Sequence, residues 1–285
     1  MANSLSEARI AFIGGGNMAN AIIGGLLSKS IAPANIFVAE PWDVNRNKIA
    51  KLGVRTTESN AEAATDADIM ILAVKPQVAR SVCQELGASS AWASRKDLPL
   101  IISIAAGISL QSLESWSTLK QDGRTPHVVR VMPNTPALVG EGASGAFASN
   151  QVTEQERELT TALLNSVSKA TEWVDKEELL DVVTGLSGSG PAYFFALVEH
   201  LVSSATSFGL SSEQATRLAA QTCLGAGKML VESSDSPAQL RKNVTSPNGT
   251  TEAALKSFEA SGFADIVAKA LKAATDRSEE LGKAT

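Results

Sequence analysis

Histidine, cysteine and tyrosine are nearly missing from this 285-residue chain, which has two His, two Cys and one Tyr. Cys83 and Cys223 are too few and too far apart for a disulfide framework or a zinc site. Neither has a His nearby, so each is expected to be a small buried hydrophobe rather than a nucleophile. His127 and His200 are isolated, which leaves no ligand cluster, and no metal is expected. Basic stripes are also absent: 25 Lys and Arg stand against 30 Asp and Glu, a net charge of −5, which argues against a nucleic-acid partner. The longest apolar run, Pro191 to Val198, is far short of the roughly 20 residues that a membrane span needs. The opening MANSLSEA has neither a basic nor an apolar segment, so no secretory leader is expected. A reducing, cytoplasmic setting fits these absences.

The length and the ordinary 44% apolar content allow two domains with cores of their own. The chain is organised around Arg9 to Lys29, RIAFIGGGNMANAIIGGLLSK. Ile10 to Ile13 is a short apolar run of β-formers that stops at three glycines. Met18, Ile22, Ile23, Leu26 and Leu27 then recur at helical spacing. In this strand–turn–helix, Gly14-x-Gly16-x-x-Ala19 has a mechanical meaning. Gly14 makes the turn, Gly16 lets the backbone approach a pyrophosphate, and Ala19 allows close helix packing. With the N–H groups of Asn17 and Met18, the helix start favours an anion, and a dinucleotide site is expected there.

A second strand over 35–39 ends at Glu40, placed to accept hydrogen bonds from an adenosine ribose. Its charge should repel a 2′-phosphate and favour NADH, with Arg46 as a partial offset. Helix 43–52, strand 54–56 and a helix opened by Ser59 or Asn60 follow. Ile69 to Val74 reads as a central parallel strand buried on both faces. It ends at Lys75-Pro76, so Lys75 sits at a strand's carboxyl end, within reach of a phosphate, ribose or carboxylate. Strands at 100–103, 127–132, 144–148 and 170–174 alternate with helices at 110–116 and from Thr153 to about 168. That alternation predicts a doubly wound parallel sheet of Rossmann type over residues 1–174.

From Asp175 to the end no bounded β-rich run recurs, and 175–285 is expected to be an all-α dimerisation and substrate domain. Tyr193 to Val198 is apolar nearly all round, after a glycine-rich break at 185–192, and should be buried against a second subunit. Thr245 to Thr251 is a loop of hydroxyls, proline and glycine feeding a helix over 252–258. It could bind a carboxylate or serve only as a cap, with Thr251 capping its helix.

Pro237 to Glu259 resembles the signature segment of Δ1-pyrroline-5-carboxylate reductases. The likeness extends to Ile13-Gly-Gly-Gly-Asn-Met-Ala19, Ala73-Val-Lys-Pro76, Val131-Met-Pro-Asn-Thr-Pro136 and Gly185-Leu-Ser-Gly-Ser-Gly-Pro-Ala-Tyr193. The resemblance implies reduction of Δ1-pyrroline-5-carboxylate to L-proline with NADPH or NADH, the last step of proline biosynthesis. Under it, Gly14, Gly16, Asn17, Met18 and Ala19 hold the pyrophosphate, and Asn60, with residues after the second strand, holds the ribose. Ala73, Val74, Lys75 and Pro76 line the nicotinamide side. Ser246, Asn248, Gly249 and Thr250 receive the substrate carboxylate, and Thr251 hydrogen-bonds the ring nitrogen. It further implies an interlocked homodimer, often built into larger rings, with active sites shared between subunits. Asn248 stands where a glycine is often found. A hydroxyacid dehydrogenase is the rival enzyme, but it needs a general base on the first C-terminal helix, and between Glu177 and Leu201 there is only His200 and no Lys. The same fold would also suit a related imine reductase or a dinucleotide-binding protein without catalysis.

Overall fold

The computed structural model describes residues 4–283. Its strands are β1 (Ile10–Ile13), β2 (Ile36–Ala39), β3 (Arg55–Thr57), β4 (Ile69–Leu72), β5 (Leu100–Ser103), β6 (Val128–Met132), β7 (Gly142–Ala148) and β8 (Ser168–Trp173). They form one sheet in the order β3-β2-β1-β4-β5-β6-β7-β8. Every pairing is parallel except β6 with β7, which is antiparallel. The edges are β3, three residues long, and β8, SKATEW.

Around the sheet run α1 (Asn17–Ser28), α2 (Asp43–Ala50), α3 (Asn60–Ala64), α4 (Pro76–Gly87), α5 (Ser90–Ala93), α6 (Leu110–Ser117), α7 (Glu154–Leu164) and α8 (Leu179–Val183). The central strands alternate their side chains between two cores. Ile10 and Phe12 pack with Ile22, Ile23, Leu26 and Ile71 on one face. On the other, Ala11 and Ile13 pack with Met70, Leu72, Leu86, Trp92 and Leu113. Each large side chain buried this way stabilises the sheet by about 1.5–3 kcal/mol, which explains the unbroken apolar runs of β1 and β4.

Several boundaries differ from the sequence expectation, β7 opening at Gly142 instead of 144 and β8 at Ser168 instead of 170 among them. The helix that starts at Thr153 ends at Leu164 instead of near 168, because Ser168 opens β8 beside Gly142 and its hydroxyl meets that of Ser144 at 2.9 Å. Its start is as expected: Thr153 and Glu156 form a capping box. The glycine-rich segment from Gly185 is not an open break. Thr184–Gly188 is a π-helical turn, in which the Thr184 hydroxyl donates to the Leu180 carbonyl and that of Ser187 to Val183.

The remaining helices are α9 (Gly190–Ser207), α10 (Ser212–Glu232), α11 (Pro237–Asn243), α12 (Thr250–Ala260) and α13 (Phe263–Lys283). Contacts group the chain up to Gly188 with the segment from Ala274 onward as one compact unit; Ser189–Ala273 is the other. In this helical unit only Gly190 and Ala215 are buried among the described residues. Phe194 is 58% exposed and Phe195 69% exposed on α9 of the single chain.

Among the described residues no helix is long and apolar enough to cross a membrane. Cys83 is buried, and burial pushes its thiol up to about 12, well outside the nucleophilic range. Cys223 is partly buried.

Candidate active site

The glycine turn lies where the carboxyl ends of β1, β2 and β4 meet. The Gly14 N–H donates to the Ala39 carbonyl and the Ala73 N–H to that of Ile13, both at 2.8 Å. Gly14 has φ +98°, and a Cβ there would stand 2.6 Å from the Ala73 carbonyl oxygen, so only glycine fits. Gly16 is different. A Cβ on it would meet nothing within 4 Å, so its bare backbone faces space rather than neighbouring protein.

Gly16 is also the N-cap of α1, without a side-chain cap, and Asn20 makes the first helical bond back to its carbonyl. The backbone N–H groups of Asn17, Met18 and Ala19 therefore have no hydrogen-bond partner among the described residues. An open glycine and a free helix start are what a pyrophosphate needs, and the residues present fit a dinucleotide.

Two contacts at this turn are invisible in the motif. The Asn20 side-chain amide donates to the carbonyls of Gly15 (2.9 Å) and Gly16 (3.0 Å), holding the turn shut from below. Glu40 is buried, and its carboxylate accepts from the N–H of Gly15 at 2.7 Å and of Trp42 at 2.9 Å. Glu40 thus braces the turn, a role separate from the ribose contact expected of it. Arg46 donates to the carbonyls of Glu40 (2.8 Å) and Pro41 (3.0 Å) and pairs with Glu58 at 2.7 Å.

Asn60 is the first residue of α3, with Ser59 as its cap, and its side-chain amide donates to Glu85 at 2.9 Å. Ala73 and Val74 are partly buried, Lys75 is exposed at the N-cap of α4, and Pro76 occupies its first position. These positions share the carboxyl edge of the sheet with the glycine turn. On the same unit, buried Asn134 donates to the Ser187 carbonyl at 3.1 Å and accepts from the Ala143 N–H at 2.9 Å. That pair of bonds ties the proline-bounded loop after β6 to the π-helical turn.

In the helical unit, the loop from Thr245 to Gly249 leads into α12. Gly249, not Thr251, is the N-cap; Thr250 and Thr251 are the first two helical residues. Asn248 adopts φ +58°, the left-handed region in which asparagine replaces glycine at small cost. Its N–H donates to the Glu252 carboxylate at 2.7 Å, and the Gly249 N–H donates to the Ser246 carbonyl at 3.0 Å. The hydrogen bond from Asn248, and then Lys256, hold the Glu252 carboxyl below the usual glutamate range.

The Thr245 hydroxyl is spent on the Arg241 carbonyl at 2.6 Å. Those of Ser246, Thr250 and Thr251 have no partner among the described residues, nor do the N–H groups of Thr250, Thr251 and Glu252. Sequence reasoning missed Glu252; a Glu at the third helical position, four residues after an Asn, was the available signal.

Comparison with known proteins settles the family. Residues 177–281 match the family profile described as pyrroline-5-carboxylate reductase dimerisation, and residues 9–107 match that described as NADP oxidoreductase, coenzyme F420-dependent. The pyrroline-5-carboxylate reductase of Pseudomonas aeruginosa is 49% identical over 98% of both chains. The chain belongs to the pyrroline-5-carboxylate reductase family.

Among solved structures, the pyrroline-5-carboxylate reductase of Coxiella burnetii matches with TM-score 0.88 and 39% identity over 96% of this chain and 98% of that one. The Plasmodium falciparum pyrroline carboxylate reductase, solved with NADP bound, matches with TM-score 0.81 and 31% identity over 97% and 99%. A Rossmann-type sheet followed by a helical dimerisation region is therefore the architecture of a pyrroline-5-carboxylate reductase here. The matched dimerisation segment makes this chain a homo-oligomer.

Proposed function

We propose that the chain reduces Δ1-pyrroline-5-carboxylate to L-proline, with a hydride from NAD(P)H, in the cytoplasm. The observation that carries this reading is the open first turn of α12, where three N–H groups and the Thr251 hydroxyl stand unpartnered among the described residues. The Asn248 and Gly249 N–H groups are engaged within the loop, so the substrate carboxylate is assigned to the N–H groups of Thr250 and Thr251, with the Ser246 hydroxyl in support.

Gly14, Gly16, Asn17, Met18 and Ala19 would hold the pyrophosphate, Glu40 and Asn60 the adenosine ribose, and Ala73, Val74, Lys75 and Pro76 the nicotinamide side. When bound, the coenzyme supplies the hydride. A cyclic imine is already electrophilic, so these residues act chiefly by placement: the carboxylate clamp fixes the ring and leaves its C=N carbon facing the donor. Thr251 hydrogen-bonds the ring nitrogen and stabilises the developing amine, directly or through a water it orients. Each active site is shared, one subunit giving the glycine turn and the other the Thr251 loop of an interlocked dimer.

Oxidation of NADH and NADPH followed at 340 nm with the pyrroline tests the reaction. Thr251→Ala should lower kcat by about ten- to a hundredfold with folding unchanged. Wild-type turnover in that variant would remove Thr251 from the chemistry, and activity with a hydroxyacid instead of the imine would overturn the substrate. A Cβ at Gly16 would meet no atom within 4 Å, so Gly16→Leu should fold yet lose coenzyme binding. Mixing it with Thr251→Ala should restore one of the two sites in each hybrid dimer. Hybrids as dead as their parents would mean that the sites are not shared.

A further inference from the structure

Three of the four tryptophans are accounted for by their own protein. Trp92 is fully buried, and its indole N–H donates to the Ala64 carbonyl at 3.3 Å. Trp116 carries the Arg80 guanidinium at 5.9 Å. Trp173 carries that of Arg157 at 4.7 Å and donates to the Thr161 hydroxyl at 3.0 Å. Trp42 is 70% exposed and, among the described residues, has neither a ring contact nor an indole hydrogen bond. Leaving the largest aromatic side chain in water forgoes a full burial's worth of stabilisation, so a ligand is the natural thing to cover it.

Its backbone is held with unusual care. Trp42 follows the end of β2 by three residues, on the carboxyl edge where open α/β sheets take their ligands. One carboxylate, that of Glu40, accepts from both the Trp42 and the Gly15 N–H groups, so the residue bearing the ring and the pyrophosphate turn share a single brace. Arg46 pins the two carbonyls just before it, Glu40 and Pro41. Arg46 is further engaged by Glu58, so its guanidinium is already committed, and what residue 42 itself offers is apolar and flat. A flat, neutral heterocycle suits it better than a phosphate. A ring on a pinned backbone also loses little freedom when something stacks on it.

We propose that Trp42 is the platform on which the coenzyme's adenine stacks. The assignment rests on the dinucleotide reading of the glycine turn: with the pyrophosphate at α1 and the ribose beside Glu40, the base comes next along β2's edge, at residue 42.

The test uses the full-length oligomer with Trp42→Ala and Trp42→Phe. Trp42→Ala should raise KM for both NADH and NADPH roughly five- to 150-fold, the range of one aromatic–base stack, with kcat at saturating coenzyme unchanged. Trp42→Phe should recover most of that loss. Reduced nicotinamide mononucleotide, which lacks adenosine, should serve wild type and Trp42→Ala equally, and ADP-ribose should quench tryptophan fluorescence in wild type but not in Trp42→Ala.

An equal NADH affinity in wild type and Trp42→Ala would overturn the role of Trp42 and leave the dinucleotide reading standing. So would an equal loss with the mononucleotide, or a changed sedimentation coefficient, which would give Trp42 to a subunit contact. Wild-type protein that binds neither NADH nor ADP-ribose would overturn the dinucleotide reading itself.

Discussion

Asn248 shows how one dihedral angle can decide whether a site forms. Its φ of +58° is easy for glycine, tolerable for asparagine and hard for a β-branched residue. Asn248→Gly should leave the loop intact. Asn248→Val should cost about 1–2 kcal/mol there and raise KM for the pyrroline roughly tenfold, with coenzyme KM unchanged; steady-state kinetics on both variants checks this. Glu252 adds a pH dependence. Its carboxyl is held low by the Asn248 N–H first and Lys256 second. A depressed folded value means that the brace is present above the usual glutamate range and is lost as pH falls through the depressed value. The Asn248 amide resonance should therefore titrate below that range, and Glu252→Gln should abolish the titration while keeping the hydrogen bond. The family resemblance put Asn248 where a glycine is often found; the residues alone could not show the left-handed angle, which depends on how the chain enters α12.

Among the elements, α9 is the most exposed to question. Its residues are apolar nearly all round, yet in the single chain Phe194, Phe195, Leu197 and Leu201 are exposed. A second copy covering them accounts for both facts, and the match to the dimerisation profile supplies the partner. Phe195→Asp should forfeit at least the 1.5–3 kcal/mol of one buried aromatic and add the cost of a buried charge, so sedimentation should find monomers where wild type gives oligomers. Periodicity placed the apolar run 193–198 on a helix, and it lies within α9. It read the segment before it poorly: Thr184–Gly188 looks like a glycine break, but back-bonding hydroxyls and the tie from Asn134 to Ser187 make it a π-helical turn. Such long-range satisfaction leaves no local signature.

At the scale of the whole molecule, nearly all the sheet was legible, since strands buried on both faces must be apolar and must end at turns. The glycine turn was legible for the same reason: Gly14 sits where a Cβ would strike the Ala73 carbonyl. The sequence offered Glu40 only as a ribose partner and not as a brace, because its two N–H donors, at Gly15 and Trp42, are set by three-dimensional convergence. The helical unit has only Gly190 and Ala215 buried among its described residues. Its folding free energy must therefore come largely from association, and the Tm measured by calorimetry should rise with protein concentration. A Tm independent of concentration over two decades would show that the unit is stable alone.

The two borders of the sheet make that association selective. One is a three-residue strand, Arg-Thr-Thr, whose Arg55 lies 4.0 Å above the Phe37 ring; the other, SKATEW, carries the charged Lys169 and Glu172. Short or charged borders offer a poor template for strand-on-strand growth. Crowding this protein in a cell should consequently drive orderly pairing through helices and leave amyloid-like stacking without a starting point.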